Sequence, residues 1–276
     1  MNRIEQIRAT IANIKKYSII IGYPAGTMIA VLLIWETIVW AFEFPEYFLP
    51  GPFVILQELF SIGFKLVPDA LLTIQETILG FILAIIVGFS AALAIAWSEH
   101  IKRAVLPLFI FLQTMPKIAI APIFIIWFGF GPMPKIIMSF LICLFPILIN
   151  TSVGLVSVET AMLELVKSMA ATKKQIFLKV RIPNALPIFF TSLKIAITLA
   201  LIGALVGEFV GGEGGLGYQI LLANARLDAP RLFSIVIILM LIGAGLFYLI
   251  SGLERVILPW KPAEDEVGTT ITGVPQ

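Results

Sequence analysis

Cysteine, histidine and charge are all scarce in this chain. Cys143 is the only cysteine and lies in an apolar run. A single thiol builds neither a disulfide framework nor a thiolate metal site. His100, the only histidine, stands beside Lys102 and Arg103 and reads as a solvated loop residue rather than a ligand or a base. No HExxH, GxSxG or GxxxxGK[ST] pattern occurs, which leaves no zinc-binding helix, nucleophile elbow or phosphate-cradling loop. Gly212-x-Gly214-x-x-Gly217 matches the dinucleotide fingerprint only in form, because that fingerprint needs a strand before it and a βαβ unit around it. Its glycines read as a tight turn and re-entry. An enzyme reading therefore has no catalytic groups to rest on, and no cofactor or metal is expected in this chain.

Charged residues make up 13% of the sequence and hydrophobic residues 59%. Soluble domains lie nearer a quarter charged and about half apolar, so water is not the main solvent here. The apolar residues come in long runs rather than stripes, which predicts an all-α polytopic membrane protein with six transmembrane helices. The spans fall near 18–41, 72–97, 104–129, 134–157, 185–210 and 232–258. Residues 1–17 form a basic N-terminus, 18–259 the transmembrane domain and 260–276 a polar tail. The first run could extend about 36 Å as a helix, too long for a signal-peptide core, so it reads as a retained span. Residues 52–64, after the Leu49-Pro50-Gly51-Pro52 break, predict one amphipathic helix too short to cross.

Lysine and arginine set the orientation. Arg3, Arg8, Lys15, Lys16, Lys102, Arg103, Lys167, Lys173, Lys174, Lys179, Arg181, Arg255 and Lys261 fall on one side, and only Lys65, Lys135, Arg226 and Arg231 on the other. The richer side is expected to be cytosolic, with both termini and segment 158–184 on it. Nothing in the pattern calls for nucleic acid.

Gly80, Ala84, Gly88, Ala92 and Ala96 recur every fourth residue in the second span, and Gly203, Gly207 and Gly211 in the fifth. Such stripes let helix backbones approach closely and read as packing seams. Pro107, Pro116 and Pro122 fall in or beside the third span. Each removes a backbone hydrogen bond, which makes this span the candidate cavity-lining helix. Lys117 lies about 20 Å along it, with Gln113 and Thr114 a turn away. An unpartnered lysine at that depth costs roughly 3 kcal/mol. It is either part of a polar pathway lining or one half of a buried ion pair with Glu76 or Glu208. Asn150 and Glu208 complete the pathway candidates, with interhelical hydrogen bonding the alternative for Asn150-Thr151. Glu36 and Glu76 read as carboxylates near span ends, within reach of water; as buried groups they would instead suit an ion-coupled secondary transporter.

Segment 159–187, ETAMLELVKSMAATKKQIFLKVRIPNALP, is the densest basic stretch and lies between two apolar runs. Glu164 is followed six residues later by Ala170, and ten further on by Val180-Arg181-Ile182-Pro183. This spacing resembles the cytosolic coupling segment of ABC-importer permeases. LPGPFVILQEL, QTMPKIAIAPIFIIWFGFG, FPILINTSVGL and VGEFVGGEGGLGYQI resemble further stretches of the same proteins, specifically the nitrate/taurine/sulfonate group of type I importers. The likeness covers most of the chain from Phe48 onward. Leu165-Val166 replace the family's paired alanines and Ala170 its usual glycine. If position 170 needs positive φ, alanine is strained there by about 1 kcal/mol; the alternative is that Ala170 keeps a plain helical bend.

The resemblance implies a type I permease fold in a prokaryotic inner (plasma) membrane. It also implies ATP and magnesium on separate ATPase subunits, a periplasmic or lipid-anchored solute-binding protein, and a second permease copy across the pore. Glu164, Lys167, Ala170, Ala171, Lys173, Lys174 and Pro183 are then the ATPase-coupling residues. The implied cargo is an organic anion or oxyanion of the nitrate, taurine or sulfonate type, with a pyrimidine vitamin precursor or a riboflavin-like solute as the alternative.

Overall fold

The computed structural model describes residues 22–23 and 26–260. The basic N-terminus, the start of the first span and the tail after Trp260 lie outside the described residues. The order is α1 (Gly26–Ala41), α2 (Pro52–Ile62), a 3-10 turn (Gly63–Leu66), α3 (Val67–Trp97), α4 (Glu99–Thr114), α5 (Lys117–Phe128) and α6 (Pro132–Val156). Then follow α7 (Thr160–Ser168), α8 (Lys173–Ile176), a π-helical turn (Phe177–Arg181), α9 (Ile182–Gly211), α10 (Leu216–Ala225) and α11 (Ala229–Ile257). Among the described residues all regular structure is helical.

Four helical stretches are long and apolar enough to cross a membrane, and a fifth crossing is possible if the bent pair α4–α5 acts as one. The 16 residues from Gly26 to Ala41 are apolar but shorter. The third span is corrected by this structure. It is not one helix over 104–129 but two, bent by 95° at Met115-Pro116. Met115 is extended, with φ −62° and ψ 133°, as a residue before proline tends to be. Pro107 and Pro122, by contrast, sit inside helices.

Two compact units are present. The larger comprises Leu66–Leu221 and Ile237–Gln276. Its centre is α6, packed between α9 and α3. Phe81, Ala84, Cys143, Leu144, Ile147, Phe190, Ala196, Ile197 and Ala200 form its main core. The small-residue stripes are the seams of this packing. A Cβ on Gly203 would lie 2.6 Å from Ser139 Cα, and one on Gly207 would lie 2.6 Å from Lys135 Cα. Backbone meets backbone there, so the glycines set how closely α9 approaches α6. Outward, Ile78, Ile82 and Ile86 of α3 are exposed, as lipid-facing residues should be.

The smaller unit comprises Met1–Lys65 and Leu222–Val236. Within it, Trp35 packs on Phe233 at 5.9 Å, and Ser234 Oγ donates to Ile55 O at 3.0 Å. Glu36 is half-buried, and its Oε2 accepts the Phe53 amide at 3.4 Å, which ties α1 to the start of α2.

Candidate functional site

The segment between α6 and α9 is built as two short capped helices. α7 ends at Ser168 with Met169 as its C-cap, and Ala170 then takes φ 57°. The Ala170 amide donates to Lys167 O at 2.9 Å and the Ala171 amide to Val166 O at 3.2 Å. This bond pair is the Schellman ending, whose left-handed residue is usually glycine. The strain expected of alanine at position 170 is therefore present. Thr172 caps α8, because its Oγ1 accepts the Gln175 amide at 3.3 Å and Gln175 Oε1 accepts the Thr172 amide at 2.8 Å.

The sequence-predicted coupling residues share one exposed segment. Glu164, Lys167, Ala170, Lys173, Lys174 and Pro183 are exposed, and Ala171 is half-buried. α7 buries none of its residues. It presents Met162, Leu165 and Met169 outward, with Met169 73% exposed. Their spacing of three and four residues puts them on one helix face. An apolar stripe rimmed by charge and left in the open is the signature of an interaction surface. The flanks of the segment are tied down, since Asn184 Nδ2 lies 3.4 Å from Gly154 O and 3.3 Å from Ser157 Oγ.

The bend between α4 and α5 gathers three of the pathway candidates. Lys117 opens α5, and its Nζ donates to Gln113 O at 3.0 Å across the bend. The same ammonium stands 4.7 Å from the Phe145 ring centroid, and Phe109 packs edge-on against Phe145. Gln113 and Thr114 are exposed, and the Thr114 hydroxyl donates to Phe111 O at 2.8 Å. The proposed ion pair of Lys117 with Glu76 or Glu208 is not formed. Asn150 is half-buried on α6. Thr151 is fully buried and its hydroxyl finds no hydrogen-bond partner, so no interhelical bond forms there.

Glu76 belongs to a buried polar cluster that the sequence reading missed. Lys135 Nζ lies 3.0 Å from Glu76 Oε1, a charge contact that falls short of an aligned hydrogen bond. Glu76 was expected near water, yet it is 1% exposed, and that expectation is corrected; Lys135, placed at the outer edge of the fourth span, is 4% exposed. Glu208 is also fully buried: its Oε1 accepts Thr73 Oγ1 at 2.6 Å and its Oε2 the Gly217 amide at 2.6 Å. Thr73 Oγ1 in turn accepts the Leu216 amide at 2.9 Å, and Asp69 takes the Gly215 amide at 2.8 Å and Gln219 Nε2 at 2.9 Å. Gly215 has φ 98°, and a side chain there would strike the Glu208 carboxyl. The glycine-rich turn is thus fastened to α3 and α9 by its own amides. A signal for the cluster was available, since Asp69, Thr73, Glu76 and Thr77 form a polar stripe at helical spacing. Lys194 and Glu254 make a second pair at 2.8 Å between α9 and α11.

The family described as binding-protein-dependent transport system inner membrane component matches residues 80–260. The chain belongs to this family. It is a permease subunit of a type I ABC importer. The permease is 38% identical over 242 residues to the formylaminopyrimidine transport permease protein ThiX of Halalkalibacterium halodurans, covering 86% of this chain and 95% of that one. It is 33% identical to the riboflavin transport system permease protein RibX of Chloroflexus aurantiacus, over 87% of this chain and 90% of that one. Identity to the taurine transport system permease protein TauC of Escherichia coli is 25%, over 85% and 88%. Among solved structures, an inward-facing form of the MetNI methionine ABC transporter superposes with a TM-score of 0.63 at 18% identity. That match covers 71% of this permease and 98% of the other chain, a likeness of fold.

Proposed function

We propose that this permease imports a planar nitrogen heterocycle of the aminopyrimidine class, driven by separate ATPase subunits and supplied by an external solute-binding protein. The observation that carries the cargo is the 38% identity to a formylaminopyrimidine permease across 95% of that protein. Identity to a putative aliphatic sulfonate permease of Bacillus subtilis is lower, at 28%, as is that to the taurine permease, at 25%. The bend agrees with this order. The Lys117 ammonium already has a carbonyl and an aromatic face as partners, which weakens the case for a free anion site. Lys117 remains the one observation that favours an anion as second reading. Gln113, Thr114, Lys117 and Asn150 line the pathway in either case, and Glu208 supports it from within by fixing the 212–217 turn.

Coupling follows from α7. Met162, Leu165 and Met169 enter a groove of the ATPase, with Glu164, Lys167, Lys173 and Lys174 on the rim. Closure of the ATPases on ATP and magnesium then moves the segment, and the helices beyond it switch the pore between two states. Two permease copies form the pore, the basic face and both termini lie in the cytosol, and lipid covers the outward faces. Uptake by proteoliposomes holding permease, ATPase and binding protein tests the cargo. Labelled formylaminopyrimidine is taken up and excess taurine does not compete; taurine or nitrate uptake without aminopyrimidine uptake overturns the assignment.

A further inference from the structure

Trp97 closes α3, and the coupling segment is anchored on it. Its indole meets the Phe177 ring edge-on, with centroids 5.0 Å apart and planes at 87°. The Lys173 ammonium stands 5.1 Å from the same indole. Phe177 is buried and begins the π-helical turn, while Lys173 begins α8. One side chain therefore holds both parts of the segment's second half, whereas α7 buries nothing. Close by, Ala92 of α3, Leu155 of α6 and Ala185 of α9 share a small apolar cluster. The segment thus reaches α3 through Trp97 as well as α9 through the chain itself. A π-helical turn at Phe177–Arg181 joins α8 to α9.

We propose that Trp97 is a positioning residue for energy coupling: its ring clamps α8 and the π turn to α3, so that a displacement of the coupling segment moves α3 together with α9. This rests on the coupling role given to residues 160–183 under Proposed function. A tryptophan that serves only as an interfacial membrane anchor is indifferent to Lys173. A clamp is not, because the ammonium is held by the face of the ring.

The test uses the complete transporter, reconstituted with its ATPase and binding protein, and reads solute imported per ATP hydrolysed. W97L is expected to keep ATPase association and hydrolysis while lowering that ratio at least fivefold. W97F, which retains a ring for both contacts, returns the ratio to within twofold of the native value. K173Q removes the cation that faces the ring and also lies on the rim of the ATPase groove, so ATPase association is measured alongside; the ratio falls about twofold in the native background, with no further loss in W97L. Native stoichiometry in W97L or K173Q overturns the proposal, as does a K173Q effect that adds in full to that of W97L. W97L that simply fails to accumulate leaves W97F and K173Q to decide on the same readout. A native permease that never associates with an ATPase removes the coupling reading itself, an outcome distinct from a coupled transporter indifferent to Trp97.

Discussion

Ala170→Gly is expected to strengthen the turn on which the coupling segment folds. Ala170 holds φ 57° at the end of α7, and its amide and that of Ala171 close the Schellman bonds. An L-residue in that region is disfavoured by roughly 1–2 kcal/mol, because Cβ crowds the following carbonyl. Glycine removes this crowding but brings back about 0.5–1 kcal/mol of freedom in the open chain. The net gain is about 0.7 kcal/mol, local to the turn. Every 1.4 kcal/mol is tenfold, so the gain corresponds to about threefold less opening. Amide exchange reads this directly, since the two donors become exchangeable only when the turn opens. A peptide spanning 165–172 should exchange about threefold more slowly in Ala170→Gly, with peptides from α6 and α9 unchanged. Ala170→Val should move the other way, because a branched side chain at positive φ is worse than alanine. Unchanged or faster exchange in the glycine variant would refute both the left-handed turn and the reasoning built on it.

Four further outcomes follow from the packing and from the exposed α7 stripe. Lys135→Ala leaves Glu76 buried without its cation and should cost about 3–5 kcal/mol, read as thermal unfolding in detergent, while Lys135→Met with Glu76→Leu recovers most of the loss. Gly207→Ala puts a methyl group 2.6 Å from Lys135 Cα and should cost about 1–3 kcal/mol. Gly245→Ala, with nothing within 4 Å, should be neutral or slightly stabilising in the same assay. Leu165→Asp places a charge on the exposed α7 stripe and should weaken ATPase co-purification at least tenfold without altering the unfolding temperature of the permease.

Much of the fold was legible because lipid imposes simple rules. Apolar runs of span length had to be helices, and α3, α6, α9 and α11 lie close to their expected limits. The every-fourth stripes were legible as seams for the same reason, and Gly203 and Gly207 do meet the α6 backbone. The coupling pattern left Ala170 open between a left-handed turn and a plain helical bend, and its φ of 57° is the left-handed one. The bend at Pro116 could not be told from Pro107 or Pro122, since all three remove one amide and only tertiary packing decides which breaks the helix. Lys135 was hidden differently. It falls at the outer edge of the fourth span, and the carboxylate that pairs with it lies on another helix. The polar stripe of α3 was visible, but its partners in the 212–219 turn were set by chain topology. Trp97 looked like any tryptophan at a span end until α8 and the π turn were seen against it.

The central claim is that this permease is moved by an ATPase through α7 and has no drive of its own. ATP-dependent uptake in proteoliposomes, with and without the ATPase subunits and in the presence of a protonophore, tests it most directly. The account predicts uptake that requires ATP and the ATPase, survives the protonophore and falls at least tenfold in Leu165→Asp. Uptake that proceeds without the ATPase and collapses with the protonophore would contradict it and assign the permease to ion-coupled transport.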